Sequence, residues 1–347
     1  METTNHGWFG ENASKLHVHD LPQLWQKPSA EDLLHALDVL TIAPPSFELT
    51  REIHGEGRSP VDETGVPAYL TSIVASSLAW IQDDAGRERI WDCASMRLSE
   101  RSGRTARPAM TRKFEVTDAL TIDLHEPSLT GDNLGLKTWA SSLLLSRQLP
   151  ALRKFVSGGR PRLLELGAGT GLVGISVACL WQADVVLTDL PEIVPNLERN
   201  LELNDDVLSG WGGSASARAL DWSDDDDAPC RSSDKFPSIV AADPIYSPDH
   251  PEMLVRAISR WLDFAPSSRV IIELPLRQHY VQERAQLRSL LGGIGLVLLI
   301  EDTEQGFDDW LDEDGKPAEV ICEWSIWKPQ DDRASQGEES QKSTGTW

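Results

Sequence analysis

Two carboxylates and a row of glycines in the middle of the chain have the types and spacing that bind a ligand. Glu165 precedes Gly167, Gly169 and Gly171, which alternate with other residues, and Asp189 follows about 20 residues after the first glycine. Alternating glycines let the backbone approach a ligand closely, and an acid at this distance is placed to hold the hydroxyls of a ribose. The spacing predicts a site for a cofactor that contains a nucleoside.

The charge of Glu165 indicates which kind of cofactor this is. A carboxylate in front of the glycines repels a pyrophosphate and attracts an ammonium, so it disfavours a dinucleotide. However, Gly169, Gly171 and Gly174 also fit the dinucleotide pattern G-x-G-x-x-G, which is weak evidence by itself. The glycines alone therefore leave open an oxidoreductase that uses a nicotinamide cofactor.

A second group of residues that could carry out chemistry consists of Asp243 and Tyr246, which are joined by Pro244 and Ile245. A carboxylate can orient an amine or bind an ammonium. A tyrosine ring can hold a cation against its face, while its hydroxyl accepts a hydrogen bond. The same four residues also fit a plain turn, in which proline fixes the backbone and tyrosine packs. Asp243 and Tyr246 are our candidates for the catalytic residues.

Apolar runs of strand length lead into these groups, and helical patterns separate most of the runs. They cover residues 162–166, 184–189, a third run that ends with 219–222, then 237–246 and 269–274. Two further runs, 295–300 and 319–327, have only an acidic segment between them, which we expect to be a loop. Strands that alternate with helices predict a parallel sheet, and two strands joined by a loop predict an antiparallel pair. The chain is therefore predicted to be α/β, with a Rossmann-like seven-stranded sheet closed by an antiparallel strand pair.

The first part of the chain has a different pattern. Ser29 and Asp32 predict a helix start, with leucines at helical spacing after them. Helices are also predicted over 67–80 and 87–101, and two alternating runs between 114 and 124 predict a hairpin. We therefore predict a flexible N-terminus over 1–25, a helical and hairpin region over 26–130, a catalytic domain over 131–328 and a disordered tail over 329–347.

The 347-residue chain is strongly acidic, with a formal net charge of −23. Such a charge argues against binding along a phosphate backbone and favours a basic protein partner, so we expect no direct contact with nucleic acid. The segment from Arg97 to Lys113 is basic and is the exception. It has the charge to contact RNA, but we expect it to pack against the protein's own acids.

The four cysteines have the spacing of neither a zinc site nor a disulfide framework, so we expect no bound metal. No apolar stretch reaches the length of a membrane span, and residues 1–11 are too polar for a signal peptide. We therefore expect a cytoplasmic protein without membrane contact. We also expect it to be a monomer.

The segment from Glu165 to Gly171 resembles motif I of the class I S-adenosylmethionine-dependent methyltransferases. The segment from Asp243 to Tyr246 resembles the loop after strand four in the protein-lysine methyltransferases called methyltransferase family 16. The next residues, 247–251, are similar to fungal members that modify translation elongation factors. The resemblance covers roughly residues 133–327. It implies a seven-stranded methyltransferase sheet, S-adenosyl-L-methionine as the cofactor, and a translation elongation factor methylated on lysine.

The resemblance also assigns roles to single residues. Asp221 and Trp222 would lie beside the adenine, where an acid accepts from the exocyclic amine and an indole provides a flat wall. Trp139 would cover the cofactor as a lid. The full predicted cofactor site is Trp139, Glu165, Gly167, Ala168, Gly169, Gly171, Asp189, Asp221, Trp222 and Ala242, with Asp243 and Tyr246 on the substrate side.

Three other functions stay open. Methyltransferases that act on glutamine amides or nucleobase amines use a related D/N-P-P-Y loop, but here Ile245 replaces the second proline and weakens that interpretation. An NAD(P)-dependent oxidoreductase fits the glycines, although such a fold does not predict the closing antiparallel pair. The third is a non-catalytic module that keeps the fold and binds a translation factor.

Overall fold

The computed structural model describes residues 16–42, 47, 61–102, 106–128, 134–224, 227–311 and 316–330. The chain divides into two compact units, Met1–Pro108 and Ala109–Trp347. The domain boundaries given above stay predictions, since most of the flexible N-terminus and of the tail lie outside the described residues. Within the described part of the chain, no helix has the length and apolar character needed to cross a membrane.

The described residues of the first unit form three α-helices: α1 (Ala30–Val39), α2 (Val66–Ala75) and α3 (Asp84–Arg101). The predicted start of α1 is confirmed, because the Asp32 amide donates to Ser29 Oγ at 3.1 Å and the Ser29 amide donates back to Asp32 Oδ2 at 3.2 Å. The predicted end of α2 at residue 80 is wrong. Ser76 is extended, and its hydroxyl accepts from the Leu78 amide at 3.2 Å, so local bonds end the helix at residue 75.

The second unit begins with a hairpin, β1 (Met110–Thr117) and β2 (Leu120–Glu126), and continues with a seven-stranded sheet. The strands of the sheet are β3 (Arg162–Leu166), β4 (Asp184–Asp189), β5 (Ser214–Ala219), β6 (Ser238–Ala242), β7 (Arg269–Pro275), β8 (Leu296–Leu311) and β9 (Pro317–Pro329). Their order is β5-β4-β3-β6-β7-β9-β8. β3 to β7 pair in parallel, and β9 is antiparallel to both β7 and β8. The predicted sheet with its closing antiparallel pair is confirmed.

Six helices of the second unit are described: α4 (Ala140–Leu152), α5 (Leu172–Trp181), α6 (Val194–Leu203), α7 (Asp205–Trp211), α8 (His250–Trp261) and α9 (Val281–Gly293). The helices α8 and α9 cover one face of the sheet, where Ile239, Ile258 and Ile272 are fully buried. The helices α4 and α5 pack on strands of the same sheet. The short helix α7 was not predicted, because it follows α6 directly without a separate apolar pattern.

The closing strands are longer than predicted. β8 continues through the acidic segment as far as Leu311, so the prediction of a loop from residue 301 onward is wrong over this part. Two acids near the end of β8 are buried because each meets an arginine. Asp309 pairs with Arg112 at 2.9 Å, and Asp308 pairs with Arg277 at 3.2 Å. Pairing with arginine lets these acids be buried in a strand. The acidic composition of the segment alone does not predict a strand there.

Two asparagines, Asn200 in α6 and Asn204 just after it, attach the hairpin to this helix. Asn200 accepts from the His125 amide at 2.7 Å and donates to the carbonyls of His125 at 3.2 Å and Thr170 at 2.9 Å. Asn204 accepts from the Asp123 amide at 3.0 Å and donates to its carbonyl at 2.7 Å. These side chains satisfy the backbone of β2 much as a neighbouring strand would, and this fixes the position of the hairpin.

Candidate functional site

The carboxyl ends of β3, β4 and β6 meet at one edge of the sheet, where an open cavity lies. The predicted residues that line this cavity are Trp139, Gly167, Ala168, Gly169, Asp189, Asp221, Trp222, Ala242 and Tyr246. Three other predicted residues, Glu165, Gly171 and Asp243, do not line it.

The glycine-rich turn between β3 and α5 is held by Asp189, the last residue of β4. The Gly169 amide donates to Asp189 Oδ2 at 2.7 Å, and the Leu190 amide donates to Oδ1 at 2.8 Å. Gly169 has a φ of +57°, and a Cβ there would lie 3.1 Å from the carbonyl oxygen of Gly135, so this position requires glycine. Burial raises the pKa of Asp189, and the two amide bonds oppose that shift.

Glu165 lies beneath the turn, against α5. A Cβ at Gly174 would clash with its Oε2 atom, so the glycine makes room for the carboxyl group. Burial raises the pKa of Glu165 well above its ordinary value, and the Gly174 amide opposes this in part. Oε2 has no hydrogen-bond partner among the residues that the structure describes. The expected role of Glu165 near the charged end of a cofactor stays a prediction.

Aromatic rings form one wall of the cavity. His250 stands between Trp222 and Tyr246, with ring centroids 6.2 Å and 4.1 Å away, and both contacts are nearly perpendicular. Its Nδ1 accepts from the Tyr246 amide at 3.2 Å, which ties the loop to the start of α8. Burial lowers the pKa of His250 and so favours a neutral ring. His250 was not among the predicted site residues, although its position just after the loop, at a helix start, is a usable signal.

Tyr246 lines the cavity, and Asp243 begins the same loop. Asp243 has a φ of +53°, and its amide donates to the carbonyl of Glu273 at 2.9 Å. This left-handed conformation costs about 1–3 kcal/mol in a non-glycine residue, so the fold holds the loop in shape. Tyr246 is 48% exposed, and burial of its other half, with Asp189 and Asp243 nearby, raises its pKa. Ile245 between them packs into the core and does not line the cavity.

Trp139 lines the cavity from the start of α4. Its ring meets that of Trp310 at 6.4 Å in an edge contact. The Arg277 guanidinium lies over both rings, 5.6 Å from the first and 5.2 Å from the second, while it pairs with Asp308. Cations over tryptophan faces are favourable, so Arg277 stabilises the position of Trp139.

The segment before Trp139 is held from two sides. The Thr138 amide donates to Glu126 Oε1 at 3.0 Å, and the Thr138 and Thr170 hydroxyls share a hydrogen bond of 2.8 Å. Lys137, which lines the cavity, has its ammonium 3.9 Å from Glu126 Oε2. Arg112 also approaches Glu126, at 3.5 Å. The end of β2 therefore positions this cavity wall, and no local sequence signal identified Glu126 or Thr138.

The family model described as lysine methyltransferase matches residues 117–288 of the chain. This range includes the glycine-rich turn, the aromatic wall and the loop from Asp243 to Tyr246. Nothing outside the second unit is covered by the match.

Curated relatives extend the similarity over most of the chain. The protein-lysine N-methyltransferase rrg1 of Schizosaccharomyces pombe is 33% identical over 312 residues, which are 89% of this chain and 97% of the relative. The protein-lysine N-methyltransferase EFM2 of Saccharomyces cerevisiae is 42% identical over 265 residues, 70% of this chain but only 61% of the relative. The EEF1A lysine methyltransferase 3 of Mus musculus is 36% identical over 103 residues, 28% of this chain and 41% of the relative.

Proposed function

Because the chain belongs to the lysine methyltransferase family, we propose that it methylates a lysine of a translation elongation factor. The family establishes the reaction, in which S-adenosyl-L-methionine supplies a methyl group to the lysine amine of a protein. The identity of the acceptor and the roles of the site residues are the proposed parts. The observation that best supports the roles is Tyr246, which is half-exposed at the cavity beside Asp243.

The residues present fit S-adenosyl-L-methionine. This cofactor contains ribose hydroxyls, an adenine, an ammonium and a sulfonium but no phosphate, so carboxylates near a glycine-rich turn suit it. Asp189 would hold the ribose, because each carboxylate oxygen has a second lone pair beyond its amide bond. Asp221 and Trp222 would contact the adenine, and Trp139 would cover the ligand. When bound, the cofactor supplies a methyl group that its sulfonium activates.

On the substrate side, the protein has to position an amine and exclude water. A lysine ammonium has a pKa of about 10.4 in water, so it must lose a proton before its nitrogen can accept a methyl group. Burial in a narrow site favours the neutral amine. Asp243 would bind the arriving ammonium and orient it, and the Tyr246 ring would line the entrance. His250 would keep Tyr246 in place through the bond to its amide.

An elongation factor as acceptor is supported by two observations. A mouse relative carries the name EEF1A lysine methyltransferase 3. The formal net charge of −23 also suits a basic partner, which a negative surface attracts over a distance. With such a partner we further propose that the chain acts as a cytoplasmic monomer without direct contact to nucleic acid.

A planar amide or base as acceptor has less support. That chemistry uses a second proline in the loop to grip a flat group. Here Ile245 occupies that position and is 3% exposed, within the core beneath α8. The lysine interpretation is therefore the better one for this loop.

The experiment is transfer of labelled methyl groups from S-adenosyl-L-methionine into a fungal lysate, resolved by gel, with and without nuclease. We expect a discrete protein band that survives nuclease. Asp243→Ala and Tyr246→Phe should lower turnover far more than they weaken binding of S-adenosylhomocysteine, measured by calorimetry. Label that nuclease removes would contradict the proposed acceptor class, and equal loss of binding and turnover would contradict the assigned roles.

A further inference from the structure

Four large apolar side chains near the carboxyl ends of β6 and β7 are exposed. Tyr246 is 48% exposed, Leu276 37%, Val281 55% and Ile321 53%. Tyr246 follows β6, Leu276 and Val281 follow β7, and Ile321 lies in β9, so three separate parts of the chain contribute. Exposed apolar side chains that cluster are uncommon on a soluble surface, and they mark places where other molecules bind. We call these four residues the apolar rim.

Backbone and side-chain bonds make the rim continuous. The Leu276 amide donates to the carbonyl of Ile321 at 2.7 Å, which places these two residues side by side. The Tyr280 hydroxyl donates to the carbonyl of Tyr246 at 3.4 Å, and Val281 follows Tyr280 directly. Tyr246 itself lines the cavity. The rim therefore begins at the cavity and extends outward over the end of β7 and the first half of β9.

Acidic side chains lie near the end of the rim that meets the cavity. Asp189, Asp243 and Glu192 are the acids near enough to influence Tyr246. The one arginine between Leu276 and Val281, Arg277, points its charge at Asp308, with both carboxylate oxygens within 3.4 Å. A ligand that enters here meets negative charge at the cavity and apolar side chains beside it.

We propose that the apolar rim docks the acceptor protein by binding apolar side chains that flank its target lysine. The lysine must enter through the mouth where Tyr246 lies, so the surface continuous with that mouth contacts whatever carries the lysine. A strongly basic tail without apolar residues would leave the rim uncovered, whereas a lysine with apolar neighbours covers it. The inference rests on the proposed function and names the kind of segment that the enzyme accepts.

The test uses the full-length enzyme with Leu276→Ser and Ile321→Ser combined, and recombinant unmethylated elongation factor 1A as the acceptor. We expect the KM for this protein to rise about tenfold or more, as for the loss of apolar anchors at an interface. The maximal rate and the affinity for S-adenosylhomocysteine should stay at wild-type values, since neither residue lines the cavity.

The matched control is Leu298→Ser combined with Ile300→Ser in β8. These residues are 38% and 37% exposed, which matches the exposed fraction of Leu276, but they lie outside the rim. The control should leave the KM unchanged. An unchanged KM in the rim variant, an equal rise in the control, or a loss of S-adenosylhomocysteine binding would each overturn the inference. If the wild-type enzyme transfers no methyl group to the factor, the proposed acceptor falls first and this inference falls with it.

Discussion

The two aspartates of β4 occupy opposite ends of the strand and have different surroundings. Asp184 begins the strand, is about half-exposed and pairs with Arg160 at 2.7 Å. Asp189 ends the strand at the cavity, with both oxygens bonded to backbone amides, those of Gly169 and Leu190. One residue type therefore serves two purposes, and the carboxyl end of a parallel strand is where ligands bind in such folds.

Asp189→Asn should weaken binding of S-adenosylhomocysteine by about 10- to 100-fold. An amide keeps the shape, but its NH₂ group cannot accept a bond from an amide, and the loss of a hydrogen bond with a charged partner costs about 1.5–3 kcal/mol. Calorimetry measures the effect. Asp184→Asn on the same strand is the control, and it should bind with wild-type affinity. Equal effects at both ends would contradict the role of Asp189.

Glu273 makes the stability of the protein depend on pH. Its side chain is fully buried, and burial, followed by the Glu304 and Asp243 carboxylates, raises its pKa well above the ordinary value. An acid whose pKa is raised on folding stabilises the fold below its unfolded pKa, about 4.3 for glutamate, and that contribution is lost as the pH rises through the folded value. Glu273 thus favours the folded state more at low pH than at high pH.

Glu273→Gln should remove this part of the pH dependence. Glutamine resembles the protonated acid, so the free energy of unfolding should fall less between pH 4.3 and neutrality than in the wild type. Urea denaturation at several pH values measures the slope. A wild-type slope in the variant would show that Glu273 is not held neutral by the fold.

Single residues of the site were predicted unevenly, for physical reasons. The glycines and Asp189 could be predicted from the sequence because they lie at a short, fixed spacing along the chain. Their φ angles and backbone hydrogen bonds also demand those residue types. Glu126 and Thr138 were missed because their importance comes from a hydrogen bond between the hairpin and the cavity wall. No spacing along the chain encodes such a contact between separate elements. His250 was missed although its position was visible.

Helix α6 and the hairpin hold each other in place through hydrogen bonds from asparagine side chains. Asn200 is fully buried and bonds to three backbone groups, two on β2 and one at the glycine-rich turn. Asn196 bonds to one, the carbonyl of His125 at 3.0 Å. A helix that carries asparagines four residues apart presents them on one face, and that face meets the edge of β2.

Asn200→Ala should lower the free energy of unfolding by about 2–4 kcal/mol, because it leaves buried backbone groups without partners. Asn196→Ala removes one bond and should cost about 1 kcal/mol. Urea denaturation compares the two variants. The Asn200 variant should also bind S-adenosylhomocysteine more weakly, since the Thr170 carbonyl belongs to the turn. Similar costs for both variants would contradict the central place of Asn200.

Element prediction succeeded where periodicity dominates. The parallel strands β3, β4, β6 and β7 are short and apolar, so their pattern was sufficient, and the absence of a helix before β9 revealed the closing pair. The prediction failed where side chains from distant elements stabilise a strand that its own residues do not favour. The acidic second half of β8 is a strand because Arg112 and Arg277 neutralise buried aspartates, and both arginines lie elsewhere in the chain.

The whole chain is strongly acidic, and the basic segment from Arg97 to Lys113 is the main exception. Three arginines of the basic segment are engaged by the protein's own acids: Arg97 with Glu100 at 3.2 Å, Arg101 with Glu63 at 2.8 Å, and Arg112 as described. The expectation that this segment pairs with internal acids is confirmed for these three, while Arg104 lies outside the described residues. The net charge of −23 is thus not offset by a free basic patch formed by these residues.

Methyl transfer to a basic acceptor should therefore slow as salt is added. Screening shortens the reach of charge from about 10 Å at 0.1 M salt to about 3 Å at 1 M, so long-range attraction of the acceptor is lost. We expect kcat/KM for the protein acceptor to fall, while the affinity for S-adenosylhomocysteine changes little. A rate that does not depend on salt would show that the net charge does not guide the partner.

Mass spectrometry of the acceptor shows whether this chain methylates a lysine of an elongation factor. Purified enzyme, S-adenosyl-L-methionine and recombinant unmethylated elongation factor 1A are incubated, and the methylated residues are mapped. We expect added methyl groups on a discrete lysine with the wild-type enzyme and none with Asp243→Ala. An unmodified factor, from an enzyme that still binds S-adenosylhomocysteine, would contradict this expectation.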